Sequence, residues 1–233
     1  SPEDVGARLD GQTAAVAVMA ANNEIGTIQP IADIGALCRE AGALLVCDAA
    51  QAAGHVPIDI ATFGADVLVL SAHKLYGPMG VGAVWVRPGR PLVRMSPLIH
   101  GGGHERGLRS GTLPVPLIVG FGVACRIAKE ELVDEGVRVA ALRDDLLERL
   151  RAGRPDLRVN GVMSPRLPHN LNVAIPGVQA DELLMACSSV ALASGSACST
   201  DKLAPSHVLE AIGLDRALVF SSLRFGLGRG TTA

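Results

Sequence analysis

Aromatic side chains are scarce in this chain: one tryptophan, one tyrosine and four phenylalanines. The net charge is −2, so there is no basic excess either. A chain with neither a stacking platform nor a positive footprint is a poor direct ligand for nucleic acid. Long apolar runs are also missing. The uncharged stretch Ser110 to Cys125 is shorter than a bilayer crossing needs and is broken by Pro114 and Pro116, which predicts no membrane segment. Paired cysteines are absent: Cys38, Cys47, Cys125, Cys187 and Cys198 are odd in number, far apart and without a CxxC pair. That spacing argues against a disulfide framework and a zinc site, and fits a reducing cytoplasm. His100 and His104 are separated by glycines that would break the helix needed to align them, so no metal is predicted. The glycine clusters match neither GxxxxGK[ST] nor a strand-following GxGxxG, which leaves nucleotide loops unsupported.

What is present is an apolar, layered pattern. From Thr13 to about Val86, apolar strand-like runs (Ala14 to Ala20, Leu44 to Asp48, Val67 to Ser71, Val81 to Val86) alternate with helical ones such as Ile31 to Ala41. Strands this uniformly apolar predict burial on both faces, in the mostly parallel sheet of an α/β domain. Ser1-Pro2-Glu3-Asp4 reads as a helix start and not as a signal peptide. A glycine-rich passage from Gly101 to Gly111 precedes a long helical stretch, about Pro116 to Arg151. Beyond it, short strands (Leu157 to Val159, Asn170 to Ile175, Ser221 to Phe225) and helices (Ala180 to Ser188, Ser206 to Ile212) predict a smaller α+β unit. The expected domains are residues 1–134 and 135–233, the second carrying the thiol loop.

Several residues carry chemistry. Lys74 follows the apolar run Val67-Leu68-Val69-Leu70, which places its amine at the carboxyl end of a sheet strand, where ligands of open α/β folds bind. A surface lysine capping a strand is the competing reading, but Ser71 and His73 flank it with a hydroxyl and an imidazole suited to an anchored phosphate. Asp48 ends Leu44-Leu45-Val46-Cys47 and is followed by Gln51. It is either the carboxylate that meets a protonated pyridine nitrogen or a helix-capping aspartate. Asn22-Asn23-Glu24-Ile25-Gly26 follows the preceding strand and could be no more than a turn. Cys198 lies among Ser194-Gly195-Ser196-Ala197 and Ser199-Thr200, where nothing packs it down, as a reactive thiol requires. The other four cysteines sit in apolar elements, where structural burial is expected. Arg224 lies within a short strand, where an inward guanidinium would need a carboxylate, from a structural salt bridge or from a ligand.

Taken in order, seven stretches resemble one family: the pyridoxal-phosphate cysteine desulfurases of the class V aminotransferase superfamily, of the iron–sulfur-cluster type. They are Asn22 to Gly26, Val46 to Gln51, Ser71 to Pro78, Gly101 to Gly107, Arg109 to Thr112, Ser194 to Cys198 and Ser221 to Phe225. The resemblance implies the aspartate-aminotransferase-like fold, with residues 1–134 as part of the cofactor-binding large domain. It implies that Lys74 holds pyridoxal 5'-phosphate as a Schiff base, that Asp48 pairs with the ring nitrogen, and that Gln51 and Asn23 contact the ring oxygen or the substrate. Ser71 and His73 would hold the phosphate, His73 counting with Lys74 and Cys198 in the catalytic set, and Thr112 would reach the phosphate in a neighbouring subunit. The implied assembly is therefore a cytoplasmic homodimer with shared sites. Arg224 would grip the carboxylate of L-cysteine, and Cys198 would take its sulfur as a persulfide for an acceptor such as an iron–sulfur scaffold.

The family carries a segment ahead of Ser1, with a phosphate-binding glycine/threonine turn and a ring-stacking histidine, so the resemblance implies an N-terminally truncated fragment. Phe220 stands where a small or polar residue is usual. Three other readings keep most of these residues: a selenocysteine lyase, another class V aminotransferase, and a non-catalytic fragment that retains only dimer or acceptor binding.

Overall fold

The computed structural model describes residues 1–89, 92–187, 189–194 and 205–233. By its internal contacts the chain divides into two compact units. The first comprises residues 1–20 and 30–130, the second residues 21–29 and 131–233.

The first unit opens with helix α1, Pro2–Gly6, capped by Ser1 in a reciprocal capping box with Asp4. Strands β1 (Ala15–Met19), β2 (Leu44–Asp48), β3 (Val67–Ser71) and β4 (Gly82–Val86) then form one sheet in the order β1-β2-β3-β4. The first three run parallel, in registers that pair Met19 with Asp48 and Asp48 with Val69. Their carboxyl ends therefore share one edge. Strand β4 runs antiparallel, Ser71 opposite Gly82, because the chain between β3 and β4 is too short for a crossover helix. Helices α2 (Ile31–Ala41) and α3 (Ile60–Phe63) supply the connections. Along α2, Ile31, Ile34, Gly35 and Cys38 are buried at helical spacing. Gly35 must be glycine, since a Cβ there would lie 2.3 Å from the Phe63 carbonyl oxygen.

Burial departs from the sequence expectation at the sheet margins. Leu45, Cys47 and Leu68 in β2 and β3 are sealed, but β1 alternates between exposed and half-buried and the first three residues of β4 are exposed. Both are edge strands, with an apolar composition that the sequence does not distinguish from that of central ones.

Helix α4, Val115–Gly153, passes from the first unit to the second. In the first unit Phe121, Ala124 and Ala128 share one stripe and pack on Ala53, Ala72 and Leu75. Cys125 sits one position off that stripe and is exposed, where burial is expected from the sequence. In the second unit, β5 (Arg158–Val159), β6 (Asn170–Ala174) and β7 (Ser222–Gly226) make an antiparallel sheet in that order. Its core gathers Leu147, Leu157, Leu171, Val173 and Leu223. Short helices α5 (Ala180–Ala186), α6 (His207–Ala211) and α7 (Arg216–Phe220) complete it. Cys187 caps α5 half-buried. No helix among the described residues is long and apolar enough to cross a membrane.

Candidate active site

In the first unit the candidate residues gather on the carboxyl edge of the parallel strands. Asp48 is the last residue of β2, and its Oδ1 accepts from the Ala50 N–H at 2.9 Å, an Asx turn that starts the helical turn holding Gln51. Its other carboxylate oxygen has no partner among the described residues. Ser71 ends β3, and its hydroxyl lies 3.2 Å from Nδ1 of His73. Lys74 is not on the strand. It sits in the 3-10 turn Ala72–Leu75 that follows, a displacement that leaves both His73 and Lys74 exposed while Ala72 and Leu75 are buried.

The turn is fixed from several sides. Tyr76 closes it with φ 63°, a left-handed conformation unusual for a side chain of that size. Gly77 then donates its N–H to the Ala72 carbonyl at 2.9 Å, where a Cβ would stand 2.8 Å from the same oxygen. Nothing in the sequence singles out His55. Its Nε2 lies 3.0 Å from the Lys74 carbonyl, which can only accept, so that nitrogen carries the proton. The same imidazole meets the Tyr76 ring edge-on, centroids 6.2 Å apart. Thr112 is exposed just ahead of α4. The passage leading to it is held by Ser110 Oγ, which accepts from Gly103 N–H at 3.2 Å, and by His104 Nδ1, which accepts from Gly111 N–H at 3.3 Å.

The chemistry of this set matches what pyridoxal phosphate requires. It offers an exposed amine without a partner among the described residues, a carboxylate oxygen still able to pair with a ring nitrogen, and a hydroxyl–imidazole pair for an anion. These residues fit the group. A recess at the opposite, amino edge of the sheet, lined by Gly35, Arg39, Asp66, Trp85 and Arg87 among others, contains none of them.

In the second unit the structure brings Asn23 to Arg224. The guanidinium Nη1 donates to the Asn23 carbonyl at 2.9 Å, so one arm of the fork is held by a backbone oxygen. No acidic side chain pairs with Arg224 among the described residues. Backbone bonds join Ala193 and Arg224 in both directions, at 2.7 and 3.2 Å. The turn carrying Asn23 is held by buried side chains: Asn22 Oδ1 accepts from the N–H groups of Glu24 and Ile25, and Asn170 and Asn172 donate to the Glu24 carbonyl. Asn160 in turn donates to Asn172 and to Ser222. Asn170 and Asn172 share one face of a strand buried along its whole length, and that polar pair is the signal the sequence did offer. Cys198 lies outside the described residues.

The aminotransferase class-V family matches residues 1–233. The chain belongs to that family. It is 50% identical to "Cysteine desulfurase IscS" of Anaeromyxobacter sp. (strain Fw109-5) over 231 residues, 99% of this chain and 57% of that protein. It is 47% identical to the protein of the same name from Ehrlichia chaffeensis over 224 residues, 96% of this chain and 55% of that one. Among solved structures, a "NIFS-like protein" superposes over 100% of this chain and 60% of its own with a TM-score of 0.88 at 34% identity. One described as "SspA in complex with cysteine" covers 100% and 64% with a TM-score of 0.81 at 36% identity. The fold is thus the α/β architecture of these relatives, with a mostly parallel sheet. The chain spans about half the length of the curated relatives it matches.

Proposed function

We propose that the chain belongs to a pyridoxal-phosphate cysteine desulfurase that converts L-cysteine to L-alanine and passes the sulfur to Cys198 for iron–sulfur cluster or thio-cofactor assembly. The observation that carries this is the donor set of Asp48, Ser71, His73 and Lys74 on one sheet edge, in a chain about half identical to proteins named cysteine desulfurase. Residues 1–134 serve as part of the cofactor-binding large domain, and residues 135–233 as the smaller α+β domain with the thiol loop. A second copy of the chain, reached through Thr112, and a sulfur-acceptor protein complete the reading.

Pyridoxal phosphate, when bound, supplies an electron sink for charge developing next to the substrate amine. Lys74 would hold its aldehyde carbon and, once the substrate amine has taken that place, would be free as an amine to move a proton to and from the substrate α-carbon. Asp48 would keep the ring nitrogen protonated, Ser71 and His73 would hold the phosphate, and Gln51 and Asn23 would contact the ring oxygen or the substrate. Arg224, with only one nitrogen bonded to backbone, presents the rest of its fork to the substrate carboxylate. The Cys198 thiolate attacks the substrate sulfur. An S–S bond forms, the C–S bonding pair stays with carbon, and a proton completes the methyl group of alanine. No outside oxidant or reductant enters that balance.

The test is the Cys198→Ala variant of the cofactor-loaded protein. It is expected to keep the visible absorbance band and its shift on adding L-cysteine, and to lose persulfide and sulfide release. Sulfide release at a rate close to that of the parent would assign the chemistry to a lyase.

A further inference from the structure

Glu24 is 1% exposed and has no part in the chemistry above. Its Oε2 accepts from the hydroxyl of Ser206 at 2.5 Å, and Ser206 Oγ accepts in turn from Leu209 N–H at 3.2 Å. A serine has a single hydroxyl proton. With a lone pair committed to Leu209 at the amino end of α6, that proton is directed to Glu24. The backbone of Glu24 is fastened separately. Its N–H goes to Asn22 Oδ1 at 2.8 Å, and its carbonyl takes both Asn170 and Asn172 Nδ2 at 3.1 Å.

The peptide plane links this to the candidate site. The Glu24 N–H and the Asn23 carbonyl belong to one rigid, planar unit, so whatever orients the first orients the second. Arg224 Nη1 donates to that carbonyl at 2.9 Å, and its Nε and Nη2 have no partner among the described residues. We propose that Glu24 is a positioning residue: braced against Ser206, it fixes the Asn22–Gly26 turn so that the Asn23 carbonyl holds one arm of Arg224 and leaves the others for the carboxylate of an amino-acid substrate. The assignment rests on the cysteine-desulfurase reading for the identity of that substrate.

Two variants of the full chain loaded with pyridoxal phosphate separate the possibilities. Glu24→Gln keeps an oxygen that accepts from Ser206, and Glu24→Leu keeps comparable bulk without one. The first readout needs no activity: the rate at which phenylglyoxal modifies Arg224, mapped by peptide mass spectrometry, with the buried Arg143 and Arg166 as internal gauges. Glu24→Leu is expected to speed modification of Arg224 about threefold or more while Arg143 and Arg166 stay as they were, and to raise KM for L-cysteine about tenfold with kcat within about twofold. Glu24→Gln is expected to stay within about twofold of the parent on both measures. If Glu24→Leu does not fold, Ser206→Ala removes only the donor and carries the same expectation.

Unchanged labelling of Arg224 overturns the proposal, and so does a uniform rise at all three arginines, which would mean general loosening. Faster labelling of Arg224 with KM unmoved overturns it as well. Should the parent protein make no alanine from L-cysteine, the desulfurase reading is what fails, and labelling alone decides whether Glu24 holds Arg224.

Discussion

Lys74 gains its importance from its surroundings. Many exposed lysines end strands, but this one lies in a tight turn whose backbone is gripped by His55 and closed by Tyr76 and Gly77. Borohydride reduction of the cofactor-loaded protein followed by peptide mapping is expected to place the pyridoxyl group on Lys74. Its recovery on Lys129 or Lys202 would refute the assignment. The motif residues Ser71, His73 and Lys74 are legible in the chain because they are close neighbours in sequence. His55 and Glu24 are not, since their partners lie 19 and 182 positions away. A polar residue whose function is to hold another polar residue leaves no local pattern.

At the scale of single elements, hydrophobic periodicity located β1 through β4 and α2 within a residue or two, because each is one apolar face long. It does not tell which strands stand at the edges, because that depends on neighbours and not on composition. It also predicts Cys125 inside, although the stripe of α4 passes just beside it. Strand β2 gives a measurable pH dependence. Burial, and then the adjacent Asp48, pushes the Cys47 thiol up from 9.0 to about 11. A folded-state value above the unfolded one means that the stability is fully present below pH 9 and is lost as pH rises through 11, by about 2 to 3 kcal/mol from this group. Urea unfolding at pH 8 and pH 11 is expected to show that loss in the parent and not in Cys47→Ala, both compared with their own pH 8 values. Parallel losses in the two proteins would place the titration elsewhere.

For the whole molecule, the division into two units with separate cores sets how far damage spreads. Leu171 is fully buried among Leu147, Leu157, Val173 and Leu223, all in the second unit. Leu171→Ala is expected to cost about 2 to 5 kcal/mol. Amide exchange should accelerate in β6 and β7 while β2 and β3 keep their protection. Equal acceleration in both sheets would show that the units open as one cooperative block.

The scarcity of aromatic residues has an optical consequence. The sole tryptophan, Trp85, lies on β4 opposite Leu68, and the sole tyrosine, Tyr76, closes the turn bearing Lys74. Emission excited at the red edge of the protein band therefore comes from the first unit alone, and the sheet carrying Arg224 is dark to it. A fluorescence melt follows the cofactor-side sheet, whereas far-ultraviolet ellipticity averages over all the helices, including α5, α6 and α7. Recording both signals on one sample sets the melting of the first unit against that of the whole chain, with no label attached.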